Sequence, residues 1–105
     1  MDIATSINGI PIRLTSERWQ HITMGHPEIA DSYYHLLETV ENPDIIFEGN
    51  NEANIAVRKF HETLTKFVVV IYKETKGGDG FIITAYFSDK EQEFKKKKIV
   101  WKRQN

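Results

Sequence analysis

Cysteine is missing from all 105 residues. That absence removes disulfide scaffolds, thiolate zinc sites and cysteine nucleophiles together. Long apolar runs are missing too, with nothing near the ~18 residues a membrane span needs. The opening Met1-Asp2-Ile3-Ala4-Thr5-Ser6 has no basic stretch leading into an apolar core, so no export signal is expected. A cytoplasmic protein is the default. No strand-to-helix phosphate loop occurs, because Gly77-Gly78-Asp79-Gly80 reads as a turn between strands. No serine-nucleophile motif is present. His21 and His26 miss the i, i+4 spacing that puts two imidazoles on one helix face. Neither a metal nor an organic cofactor is expected.

What remains is ordinary in bulk and uneven in layout. Hydrophobic content of 40% and charged content of 28% describe one globular domain, spanning residues 1–105. The net charge of −1 hides a polarity. Residues 1–54 hold two basic and nine acidic side chains, a balance of −7, whereas residues 55–105 hold twelve and six, a balance of +6. The basic half ends in Lys95-Lys96-Lys97-Lys98 and Lys102-Arg103, which bracket Trp101. Such a cluster suits phosphate contact with base stacking. It equally suits a final strand protected at its edge by lysines, and that reading is preferred for the run itself.

Local signals place the elements. Asn8-Gly9 predicts a tight turn inside a small hairpin over residues 3–14. Thr15-Ser16-Glu17 predicts a helix start, with a hydroxyl cap and an acid in the first turn. That helix stops at Gly25. Pro27-Glu28 then opens a second helix. Its Ile29, Tyr33, Leu36, Leu37 and Val40 make one apolar stripe, which Asn42-Pro43 ends. Strands follow over 44–48, 55–60, 66–73, 80–88 and about 98–102. Phe67-Val68-Val69-Val70-Ile71 is apolar on both faces and marks the centre of the sheet. The fold predicted is α+β, with two N-terminal helices packed on one face of an antiparallel sheet of four to five strands.

The helix-free face is the expected place for a site. In Phe81-Ile82-Ile83-Thr84-Ala85-Tyr86-Phe87, a period of two puts Phe81, Ile83, Ala85 and Phe87 on the core. Ile82, Thr84 and Tyr86 then face outward. If Ile55 and Val57 face the helices, Arg58 joins Thr84 and Tyr86, offering a planar fork of donors to a phosphate. His21 and His26 flank the helix break, where Gly25 and Pro27 redirect His26, with capping of the second helix as one use for it. His35 lies opposite the apolar stripe and reads as a solvated surface residue, and His61 carries no pattern. Each of these residues also has a plain structural reading as a cap, a packing group or a surface charge.

The order Trp19-x-His21-Ile22, His26-Pro27-Glu28, Asn42-Pro43-Asp44, Arg58, a Val-rich strand, Phe81 to Tyr86 and a final Trp101 resembles the barnase–EndoU–colicin–RelE-like nuclease superfamily. It is most similar to the small phage- and toxin-associated branch, over about residues 13–102. The resemblance implies metal-independent endoribonuclease activity through attack of a 2′-hydroxyl, with an antitoxin protein as partner. It matches His21 or His26 to the helix histidine, Arg58 to the strand cation, and Thr84 and Tyr86 to the hydroxyl pair of the late strand. The rival expectation is a non-catalytic domain of the same fold that binds nucleic acid or protein.

Overall fold

Asp2–Thr5 (β1) and Pro11–Leu14 (β2) form the N-terminal hairpin, with Gly9 in the turn at a φ of 76° that glycine adopts without strain. The chain is described by a computed structural model over residues 1–60 and 66–104. The first helix, Ser16–Gly25 (α1), starts where expected, because the Thr15 hydroxyl accepts the Arg18 backbone N–H at 3.1 Å. The His26 N–H closes its last turn on Ile22 O at 2.8 Å.

The second helix does not open at Pro27. Pro27–Ile29 forms a single 3-10 turn, with the Ile29 N–H on His26 O, and only Tyr33–Glu41 (α2) is α-helical. Ser32, at φ −121° and ψ 30°, interrupts the helical backbone between them. The apolar stripe survives the interruption, since Ile29, Leu36 and Val40 are all fully buried.

The strands Ile45–Glu48 (β3), Asn54–Lys59 (β4), Phe67–Glu74 (β5), Gly80–Ser88 (β6) and Ile99–Lys102 (β7) lie close to the expected spans. The sheet is larger than expected. Among the described residues it has seven strands in the order β1-β2-β6-β5-β4-β3-β7, and it is mixed. β2 joins β6 in parallel at Ile12↔Gly80 and Arg13↔Phe81, while every other pair is antiparallel. The helices therefore follow a hairpin that is itself part of the sheet. Burial explains the addition: Ala4, Ile12 and Leu14 are completely covered, packed into the helix-side core that a free two-stranded ribbon lacks. Gly80 makes the junction possible. A Cβ there would lie 2.3 Å from Lys73 O and 2.5 Å from Ile12 Cδ1.

Both sheet faces carry apolar clusters. The helices bury Ile22, Ile29, Leu36 and Val40 against Ala56, Val68, Val70, Tyr72 and Ala85. On the other face, Ile55, Val57 and Val69 pack on Phe94, which arrives on a 3-10 turn, Glu91–Phe94. The Phe94 ring stacks on Phe47 at 5.2 Å. The helix-free face is thus partly roofed by the chain between β6 and β7. Among the described residues, no helix is long and apolar enough to cross a membrane.

One irregularity changes the reading of β6. Tyr72 pairs with Ile82 and Ile71 with Thr84, so Ile83 is an extra residue, a β-bulge. Downstream of it, Ala85 faces the helices and Thr84 and Tyr86 face away, as the alternation predicts. Upstream the faces are exchanged: Ile82 is buried in the helix-side cluster and Phe81 is exposed.

Candidate functional site

Tyr86 organises the site. Its phenol donates to Glu93 Oε1 at 2.7 Å, and the second carboxylate oxygen of Glu93 accepts the Ser88 hydroxyl at 2.9 Å. Tyr86 and Ser88 stand two apart on β6 and share a face, which lets one carboxylate span both hydroxyls. Burial, and then the bond to Glu93, push the Tyr86 phenol well above the ordinary tyrosine range, so it stays protonated and acts as a donor.

His26 covers the Tyr86 ring. The two rings stack with centroids 5.5 Å apart and planes 30° from parallel. The helix break puts it there. His26 spends its backbone N–H ending α1 and its carbonyl starting the Pro27–Ile29 turn, and its side chain makes no cap. The imidazole is left to lean over β6, with Nδ1 3.4 Å from Glu28 Oε1.

Beside this stack lies a cleft of about 410 Å³, with Ile55, Ile71 and Ile83 on its wall, Tyr86 and Glu93 at one side, and Lys97 and Asn50 also bordering it. Thr84 is half-buried on the same strand face as Tyr86 but takes no part in the Glu93 network.

Arg58 is not in this group. Ile55 and Val57 belong to the cluster beneath Phe94, which reverses the expected orientation of β4 and turns Arg58 toward the helices. There its Nε lies 3.5 Å from Glu38 Oε1 and its guanidinium donates to Asn42 O, the C-cap carbonyl of α2. Arg103 donates to the same carbonyl at 2.8 Å. With its side chain 16% exposed, Arg58 is a latch on the end of α2.

His21 is exposed on α1 and shares an open hollow of about 350 Å³ with Thr15, Glu17 and Arg18. Arg18 leans from that hollow onto β6, its Nη1 donating to Ile83 O at 3.4 Å. A guanidinium therefore does stand at the β6 edge, supplied by α1. His35 is half-buried, edge-on to Phe60 at 4.9 Å, so it is a packing residue and not a solvated one. His61 lies outside the described residues.

The structure therefore stacks His26 on Tyr86, with Thr84 two residues back on the same strand, places His21 with Arg18 along the neighbouring helix, and sends Arg58 to the other layer. Sequence reasoning missed Glu93, Ser88 and Arg18. Glu93 sits in Glu91-Gln92-Glu93, a polar run without periodicity, so nothing local marks it. Arg18 carried a local signal, since it follows the Thr15 cap by three residues on the exposed side of α1. Among the described residues, no group of three or more His, Asp or Glu side chains is arranged to hold a metal ion.

Comparison with protein-family models, with curated proteins and with solved structures gives no match.

Proposed function

We propose that this protein is an endoribonuclease of barnase- or RelE-like fold, cutting RNA at the β6 edge around His26 and Tyr86. The observation that carries the reading is the stack of an imidazole on a phenol that lines a cleft. Histidine is the side chain suited to taking a proton at neutral pH. His26 accepts the proton of the ribose 2′-hydroxyl, and the oxygen attacks the adjacent phosphorus. The bond from phosphorus to the 5′-oxygen breaks. The histidinium returns its proton to that oxygen, leaving a cyclic phosphate and a free 5′-hydroxyl. When substrate binds, the single Tyr86 O–H turns from Glu93 to a phosphate oxygen, and Arg18 takes the charge-stabilising role for which Arg58 is misplaced. A preorganised contact of this kind is worth about 3 kcal/mol in the transition state. RNA is the substrate class, since DNA lacks the attacking hydroxyl. The reading carries with it a cytoplasmic setting and an antitoxin as protein partner.

The test is cleavage of a labelled RNA oligonucleotide in the presence of a chelator, with a 2′-deoxy version as control. Cyclic-phosphate ends that disappear in His26→Ala and fall sharply in Arg18→Ala support the reading. Intact RNA with the natural protein, or equal cleavage by both variants, overturns it.

A second reading rests on the closed state of the network. Glu93 already occupies the hydroxyls of Tyr86 and Ser88, as in a structural clamp. A domain that binds nucleic acid or protein without cutting is compatible with that arrangement, and retention of uncut RNA would favour it.

A further inference from the structure

Among the described residues, β7 ends the sheet, paired with β3 on one side only. Such an edge offers its outer backbone groups as a ready template for another strand. Ile99 and Val100 are 52% and 46% exposed, an apolar pair on this edge strand. Around them, Lys95 to Lys98, Lys102 and Arg103 give six positive charges between positions 95 and 103, with no acid among them.

We propose that β7 is a docking edge for an extended acidic polypeptide segment of another protein, which adds to the sheet as an eighth strand. Backbone pairing supplies the register, Ile99 and Val100 supply apolar contact, and the flanking cations select acidic side chains. The same charges argue against a second copy of this chain, because antiparallel β7–β7 pairing would set lysines against Arg103. They argue less well for single-stranded RNA. Such binding needs exposed aromatic platforms, and Trp101 is half-buried against the helix-side core. The inference holds whether or not the β6 site cuts RNA.

The test titrates the full chain with a labelled synthetic peptide alternating glutamate with valine, and follows amide exchange along β7. Saturable binding with new protection at Ile99 to Lys102 is expected. The double variant Lys98→Glu, Lys102→Glu, both at the surface, should weaken it by about tenfold or more. A peptide of the same sequence, N-methylated at alternate residues, should not protect β7. Equal binding of the N-methylated peptide would reduce the interaction to charge alone and overturn the proposal. Protection of β7 that rises with protein concentration alone would assign the edge to a second copy. Displacement of the peptide from β7 by polyuridylate at lower concentration than by unlabelled peptide would assign it to nucleic acid.

Discussion

His26 and Tyr86 meet face to face although sixty residues separate them, and each is fixed by a different device. The helix break aims the imidazole, and Glu93 anchors the phenol. Replacing Glu93 by Gln should therefore act on Tyr86 before anything else. The phenol pKa is raised in the folded chain, first by burial and then by Glu93, so this group stabilises the fold below its ordinary value of ~10. That contribution is lost as the pH climbs above ~10 toward the folded value. Glu93→Gln should lower the midpoint of phenolate absorbance for Tyr86 and narrow this alkaline window, as read by spectrophotometric titration against a Tyr86→Phe reference.

Arg58 should behave as a structural residue. Arg58→Ala removes a charged donor from Asn42 O and leaves Glu38 without its partner, at a cost of about 2 kcal/mol. Urea denaturation measures the loss. Any RNA cleavage should persist below the denaturation midpoint, and a cleavage defect in a fully folded Arg58→Ala protein would show that the guanidinium acts from the helix side.

Ile22 is the single buried residue of α1. Ile22→Ala should cost about 2–5 kcal/mol, since the cavity lies under a helix with few other anchors. Because α1 also aims His26, the same variant should loosen the stack on Tyr86, visible as averaging of the Tyr86 ring signals in NMR spectra. Retention of both stability and ring signals would mean that Trp19 alone holds the helix.

Acid should reach the β5–β6 turn late, below the ordinary carboxylate range. Hydrogen bonds from Thr75 and then Arg13 hold the Asp79 carboxyl below the ordinary carboxylate range. A depressed folded pKa stabilises above the unfolded value of ~3.9 and is lost as pH falls through the folded value. Thr75→Val and Arg13→Ala should each raise the Asp79 midpoint, measured by carboxyl carbon shifts. An unmoved midpoint in both would remove these partners as the cause.

The elements were legible where a single residue decides them. Thr15 caps, Asn8-Gly9 turns, Pro27 breaks, and the valines of β5 announce a strand buried on both sides. The orientation of β4 was not legible, because Ile55, Ala56 and Val57 are all buried and alternation cannot choose between two apolar faces. Seven strands exceed the expected four to five because the hairpin joins through a parallel contact that only Gly80 permits, a close approach with no local signature beyond one glycine. For the site, alternation put Thr84 and Tyr86 on one outward face and left His21 and His26 both open, while Glu93 entered through a non-periodic connection that no pattern could place.

Losing one amino acid from a strand normally swaps inside for outside along everything that follows. Here the extra Ile83 means that its deletion would leave Ile82 opposite Tyr72 and Thr84 opposite Ile71, with every later partner unchanged. A single-codon deletion at this point should yield a folded protein with a straightened border, without the carbonyl that Arg18 reaches and without one wall residue of the cleft. This stretch can therefore change length without scrambling its own pairing.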